Sequence, residues 1–374
     1  MASNHTPLIP DRTRIAVQRS LSDWYTAHKR HLPWRETKDP YRIWISEVML
    51  QQTRVTTVIP YFNTFLRRFP DIKGLAEADS DALLKTWEGL GYYARARNLQ
   101  KAARIIVDDF NGCIPDTREE LIKLPGIGDY IASAVVSIAF GKPHAVADGN
   151  VKRLLSRLFE IEAPVNKQAS HRIFKAYAQE LIKESDPGAF NQAMMEAGAK
   201  VCLPGNPVCG DCPVRSLCRA FSKDRTNELP RRIPRKKVPT FQIAAGIVRK
   251  NGKLLITRRD PDGLLGGLWE FPGGKLKENE DAASACIREI YEETGLTVAI
   301  DGYLTRVSHA YTHFKIEMDV FYCSHLAGDI RLNGPCDFRW IDLEDIPGFA
   351  FPRANLKFIP MIESSPTDGD ARSG

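Results

Sequence analysis

Leu124-Pro125-Gly126-Ile127-Gly128, followed by Asp148-Gly149-Asn150, is the stretch from which the chain can be read. Thr117 is placed to cap a short helix, and Glu120 three residues on completes a capping box. That helix should end at the Pro-Gly-Ile-Gly turn. A second helix follows, with Ile131, Ala134, Val135 and Ile138 at helical spacing. Without Cβ atoms, Gly126 and Gly128 let backbone N–H groups come close to an anion. The N-terminus of the second helix adds partial positive charge there. A DNA phosphate is the natural guest, although an ordinary connection between two helices would use the same residues. Asp148 stands just ahead of Val151, Leu154, Leu155 and Leu158, at or near the N-cap of a further helix. Capping alone would account for it.

Outward from that stretch, residues 14–221 read as helix after helix, with apolar residues recurring at three and four and breaks at Pro and Gly. Residues 222–240 form a linker in which Pro230, Pro234 and Pro239 alternate with Arg and Lys. It reads equally as a solvated hinge or as a strip that follows a phosphate backbone. From Phe241 the period turns strand-like over 242–249, 253–257, 296–300 and 315–323, interrupted by one helix, 282–294. The expected organisation is therefore an all-α domain over 1–221, the linker, an α+β domain over 241–362 and a disordered tail over 363–374. The 374 residues suffice for such cores. The net charge of +6 favours a polyanionic partner. No apolar run approaches a membrane span, and the first residues do not read as a secretory signal. A cytoplasmic, DNA-associated monomer is expected.

Three groups of residues carry candidate chemistry. Glu47 lies on a helix opened by Pro40 and shares its face with Ile43, Leu50 and Gln51. Poor solvation there should raise its pKa and suit it to general acid work, whereas an amphipathic helix with one exposed Glu is the plainer alternative. Four cysteines follow as Cys202-x6-Cys209-x2-Cys212-x5-Cys218. Four thiolates at this spacing could hold either zinc or a [4Fe–4S] cluster. Glu289, Glu292 and Glu293 stand at i, i+3 and i+4, so all three can point to one side of a helix, a set of hard oxygens suited to Mg2+ on a diphosphate. A purely structural role through salt bridges competes with that reading.

Leu32-Pro33-Trp34-Arg35, the run from Ser46 to Thr53, Gly89-Leu90-Gly91-Tyr92-Tyr93, the 124–128 turn and Asp148-Gly149-Asn150-Val151 together resemble the MutY family of adenine DNA glycosylases, in the family's order. The resemblance implies a helix-hairpin-helix glycosylase domain followed by a Nudix-like α+β domain, in a bacterial enzyme. It implies that Glu47 protonates a ring nitrogen of adenine, that Asp148 supports the cationic sugar, and that Asn150 holds Asp148 or the substrate. An acid raised by burial and a carboxylate kept ionised by a helix N-terminus would make the pair. Tyr130 stands where bifunctional relatives such as endonuclease III carry a Schiff-base lysine, which implies glycosylase chemistry without efficient strand cleavage. Gln52 and Tyr92 match residues that wedge into the duplex, and Arg30, Leu32, Trp34 and Gln192 match the adenine pocket. The resemblance implies that Cys202, Cys209, Cys212 and Cys218 hold a [4Fe–4S] cluster, as relatives with this spacing do. Tyr311-Thr312-His313 matches a loop, typically Phe-Ser-His, that reads 8-oxoguanine, so the implied partner is double-stranded DNA with adenine opposite 8-oxoguanine or guanine. The run from Gly274 to Leu296 fits every fixed position of the Nudix box, usually degenerate in this family. A nucleotide-pool hydrolase tethered to DNA by its helical domain, or a non-catalytic repair scaffold, are the rival readings.

Overall fold

The computed structural model describes residues 8–234 and 237–363. The expected tail, apart from Glu363, lies outside the described residues. The chain divides into two compact units, one made of residues 8–77 and 98–234, the other of 78–97 and 237–363.

The helical elements before the sheet are α1 (Asp11–His28), α2 (Pro40–Leu50), α3 (Val55–Arg68), α4 (Ile72–Ala76), α5 (Ser80–Trp87), α6 (Ala94–Asp109), α7 (Arg118–Leu121), α8 (Asp129–Ile138), α9 (Gly149–Phe159), α10 (His171–Ile182), α11 (Pro187–Lys200) and α12 (Arg219–Ser222). Local chemistry sets their starts. Asp39 caps α2 by accepting from the Tyr41 N–H at 2.9 Å, with Pro40 at the first helical position. Thr117 accepts from the Glu120 N–H, and its hydroxyl donates to the Glu120 carboxylate at 2.5 Å. Asp148 caps α9 through the Val151 N–H at 2.7 Å. The core of the helical unit gathers Val17 and Leu21 of α1, Leu154 and Leu155 of α9, Phe174 and Leu181 of α10, and Phe190 and Met194 of α11. Helix α8 is buried continuously from Ile131 to Ser137.

The C-terminal unit is a mixed sheet, seven-stranded among the described residues. Its strands are β1 (Thr240–Lys250), β2 (Lys253–Arg258), β3 (Trp269–Glu270), β4 (Gly273–Lys275), β5 (Thr297–Ala310), β6 (Lys315–Ala327) and β7 (Asp337–Ile341). The order is β3-β2-β1-β6-β5, with β4 on β1 and β7 on β2. Strands β1 and β6 run parallel from Thr240↔Lys315 to Arg249↔Ser324. The period of two in β1 splits its side chains between two cores. Ala244 and Val248 face helix α13 (Ala282–Thr294), with Cys286 and Ile290. Ala245 and Ile247 join Trp269, Phe271, Phe351 and Phe358 on the other side.

Two boundaries differ from those expected. Residues 78–97, expected within the helical domain, belong to the C-terminal unit. The Asp81 carboxylate pairs with Arg258 at 2.6 Å, Lys85 donates to the Phe349 carbonyl at 2.9 Å, Glu88 accepts from the Phe351 N–H at 2.9 Å, and Tyr93 donates to the Phe351 carbonyl at 3.3 Å. The linker is also shorter than 222–240. The Leu229 carbonyl accepts from Arg157 Nε at 2.9 Å, the Arg231 carbonyl accepts from the Val165 N–H at 3.0 Å, and the Ile233 N–H donates to Asn166 Oδ1 at 2.9 Å. Backbone hydrogen bonds thus fasten this basic strip to the helical unit as far as residue 233.

Candidate active site

Helix α2, buried from Tyr41 to Met49, carries Glu47 into the helical unit, where the side chain is 4% exposed. Burial pushes its carboxyl up to about 7. The Tyr130 hydroxyl, from the first turn of α8, donates to Glu47 Oε2 at 2.7 Å and opposes part of that shift, while the charge of Asp148 adds to it. Asp148 receives the Val151 N–H on one oxygen and Asn150 Nδ2, at 2.9 Å, on the other. Here the balance differs from expectation. Burial outweighs these hydrogen bonds and leaves the Asp148 carboxyl above the usual carboxylate range rather than below it.

Glu47, Tyr130, Asp148 and Asn150 line one cavity of about 200 Å3, together with Arg30, Leu32, Trp34 and Gln192. The structure thus brings together every residue expected in the catalytic and adenine-pocket sets. Trp34 is both core and lining: it is 6% exposed and packs edge-on against Phe62 at 5.3 Å. The Gln192 amide oxygen accepts from the Tyr25 hydroxyl at 3.2 Å.

Two further residues of the site escaped the sequence reading. Glu196 on α11 is fully buried and lines the same cavity. Burial alone would raise its carboxyl, but Arg30 (2.7 Å through both Nε and Nη2) and Arg35 (2.8 Å) hold it at about 2. The signal was present: Glu196 is a lone carboxylate in the apolar run Ala193-Met194-Met195-Glu196-Ala197, the pattern that singled out Glu47. Arg153 is the other. Its Nη2 donates to Asn150 Oδ1 at 2.8 Å and to the Gly198 carbonyl at 2.6 Å, and its Nε to the Cys202 carbonyl at 2.6 Å. The amide that braces Asp148 is thereby itself fixed.

At the hairpin, Gly126 has a backbone φ of +75°, and a Cβ there would meet Asn98 Cβ at 2.7 Å. Gly128 is extended, and its Cβ position opens onto space with nothing within 4 Å. Gly126 is therefore required by the fold, whereas at Gly128 nothing within the chain excludes a side chain. Asp129 ties this end of α8 to its neighbours through Arg118 (2.6 Å), Lys175 (3.0 Å) and His171 (3.2 Å). The two expected wedge residues, Gln52 at φ +57° and Tyr92 at φ +49°, are both exposed and both left-handed, a conformation costly for non-glycine residues and concentrated at ligand clamps.

All four cysteines of the 202–218 loop line one small cavity. Arg157, 3% exposed, donates from Nη1 to Cys202 Sγ at 3.3 Å and to the Leu203 carbonyl at 2.8 Å. Among the described residues no three His, Cys, Asp or Glu side chains are grouped so as to hold a single metal ion.

In the C-terminal unit, Tyr311-Thr312-His313 forms the turn between β5 and β6, closed by the Tyr311 N–H on the Phe314 carbonyl at 2.8 Å. The Thr312 and Tyr92 hydroxyls are hydrogen-bonded to each other. The glutamates of α13 do not act as one group. Arg288 binds Glu280 at 2.7 Å, Glu289 at 2.8 Å and Glu292 at 3.0 Å. Glu293 instead accepts from the Gly273 N–H at 3.2 Å, and its carboxyl is pushed up to about 8 by burial and by nearby Glu270.

Known proteins match both units. Residues 45–180 match the HhH-GPD superfamily base excision DNA repair protein family, and residues 243–361 the NUDIX domain family. The chain is 34% identical over 403 residues to the Adenine DNA glycosylase of Mus musculus, with 93% of this chain and 78% of that protein covered. Against the Adenine DNA glycosylase of Homo sapiens it is 34% identical over 405 residues, with 93% and 74% covered. The chain belongs to the adenine DNA glycosylase family. Membership makes it an enzyme, a DNA glycosylase of base excision repair. A solved structure described as a thermostable thymine-DNA glycosylase matches with a TM-score of 0.53 and 28% identity, covering 57% of this chain and 98% of that one. Among the described residues no helix is long and apolar enough to cross a membrane.

Proposed function

We propose that the enzyme hydrolyses the N-glycosidic bond of adenine paired with 8-oxoguanine or guanine, and does so without efficient strand cleavage. The observation that carries this reading is the meeting of Glu47 and Asp148 in one base-sized cavity. An extruded adenine enters that cavity. Glu47, whose raised pKa keeps a sizeable protonated fraction at neutral pH, gives its proton to a ring nitrogen, so the base departs neutral with the bonding electrons of the glycosidic bond. The sugar left behind is cationic. Asp148, ionised and fixed by Val151 and Asn150, stabilises that cation until water adds, and the proton the water gives up restores the acid on Glu47. Tyr130 holds the Glu47 carboxyl, and its phenol cannot form an imine with the opened sugar. Arg30, Leu32, Trp34 and Gln192 frame the base.

The open approach at Gly128, beside Gly126, suits a backbone phosphate. Gln52 and Tyr92 fill the gap left by the extruded base, and Tyr311, Thr312 and His313 read the opposite one. Cys202, Cys209, Cys212 and Cys218 hold a [4Fe–4S] cluster. Four thiols lining one cavity are a donor set that such a cluster uses. A bound cluster would tie the 202–218 loop together, and Arg157, which donates to Cys202 Sγ, would offset thiolate charge there.

The direct test is a duplex with adenine opposite 8-oxoguanine, incubated with the protein and then treated with alkali. Scission at the adenine is expected, with little scission before alkali and little covalent adduct after borohydride. Intact strands after alkali would refute the reading. Replacing Tyr311, Thr312 and His313 together by Ala should erode the preference for 8-oxoguanine over guanine more than it slows adenine release opposite guanine.

A further inference from the structure

The run Gly89-Leu90-Gly91-Tyr92-Tyr93 contains three residues in the left-handed region: Gly89 at φ +94°, Gly91 at +71° and Tyr92 at +49°. Glycine takes up that conformation freely, whereas a tyrosine must be held in it. Arg95, in the first turn of α6, turns back onto this loop. Its Nη2 donates to the Gly91 carbonyl at 2.9 Å and to the Leu90 carbonyl at 3.1 Å. Trp87 Nε1 donates to the same Gly91 carbonyl at 3.1 Å. The Arg95 N–H closes the turn on the Tyr92 carbonyl at 2.8 Å. The guanidinium carbon lies 5.5 Å from the centre of the Tyr92 ring and 5.3 Å from that of Trp87. One side chain therefore binds the two carbonyls ahead of Tyr92 and also lies over its ring.

This is a costly place for an arginine. Arg95 is 9% exposed, and burial lowers its pKa to about 10. A cation in the first turn of a helix also opposes the partial positive charge of that end. An arginine that served only to attract DNA would keep its charge in water. Two carbonyl dipoles and two aromatic rings stand in for that water here. Tyr92 itself stays 39% exposed, with its hydroxyl bonded to Thr312. We propose that Arg95 is a positioning residue for Tyr92, fixing the left-handed loop so that the ring is set for entry into the duplex before DNA binds. The proposal rests on the reading of Tyr92 as a residue that fills the gap left by the extruded base. Without the guanidinium, the loop relaxes towards conformations that tyrosine prefers, and the ring must be reordered each time DNA is engaged.

A double-mutant cycle on the full chain tests this, read as single-turnover release of adenine opposite 8-oxoguanine. Arg95→Leu should slow release about tenfold. Added to Tyr92→Ala, it should slow release by less than about twofold more, because its effect runs through the ring. Losses that multiply in the double variant would make Arg95 a general support of the fold and overturn the proposal. Wild-type release by Arg95→Leu would overturn it too. Should Arg95→Leu not fold, Arg95→Lys enters the same cycle with the same outcomes, since it keeps the stem and charge but loses the fork. A second readout does not depend on base release: 2-aminopurine placed beside the mispair brightens when it is unstacked. Arg95→Leu should reduce that rise at saturating protein, and an undiminished rise would overturn the proposal. If Tyr92→Ala alone changes neither release nor fluorescence, the wedge reading of Tyr92 fails and the proposal falls with it.

Discussion

Glu47 in the helical unit and Glu280 in the C-terminal unit are both acids with close partners, yet their protonation is driven in opposite directions. Glu47 is held by a neutral phenol, has no guanidinium within hydrogen-bonding distance among the described contacts, and rises to about 7. Glu280 takes two hydrogen bonds from Arg288 and falls to about 2. A neutral donor orients a carboxyl without fixing its charge, so the proton remains available for transfer. A guanidinium fixes both. Glu196 repeats the lesson inside the catalytic cavity, where two arginines make a carboxylate structural a few residues from groups that do chemistry.

The largest effects that would sharpen this contrast are catalytic. Asp148→Asn should nearly abolish adenine release, and Glu47→Gln should lower it by ~10²-fold or more while mispair binding persists. Single-turnover rates would measure both, and near-normal excision by Glu47→Gln would remove Glu47 from its role. The wild-type rate should fall above about pH 7 as Glu47 loses its proton, and should fall in acid as Asp148 gains one.

Next in size is a stability effect of opposite sign in the two units. The raised Glu47 carboxyl binds its proton more tightly in the folded state, so its contribution declines as pH climbs from about 4.5 towards 7. Glu47→Gln should therefore stabilise the helical unit at pH 8 by as much as ~3 kcal/mol, visible as a higher urea midpoint. The depressed Glu280 carboxyl contributes stability above about 4.5 that is lost as pH falls towards 2. Arg288→Ala should lower the denaturation midpoint of the C-terminal unit at neutral pH and flatten its loss in acid. An unchanged acid profile would show that the Arg288 pairs are too well solvated to matter. The smallest expected effect is none: with 8-oxo-dGTP and Mg2+, wild type should release pyrophosphate no faster than Glu292→Gln. Clear release would show that Arg288 leaves the glutamates available after all.

The all-α and α+β halves were legible, and so were particular elements. Pro40 opens α2, and α13 spans 282–294, because caps and periodicity are local. Strand β5 runs to Ala310 rather than to Ile300. Asp301-Gly302 reads as a stop, but register shifts carry the pairing with β6 past it. Strands β3 and β4, of two and three residues, are too short to carry a period. The catalytic carboxylates could be picked out because each stands in a distinctive local frame. Arg153 could not, since its partner, the Cys202 carbonyl, lies 49 residues away.

The membership of residues 78–97 in the C-terminal unit bears on how the chain emerges from a ribosome. Glu88 meets the Phe351 N–H across 263 residues. At ~5–20 residues per second, that contact cannot form until roughly 13–50 s after Glu88 is made. The sequence in between includes all of the later catalytic and cysteine segments. Nascent helical unit is therefore synthesised through Asp148 and Cys218 before α5 meets its final partners, and translation stalled anywhere in the linker would present that segment to chaperones or proteases.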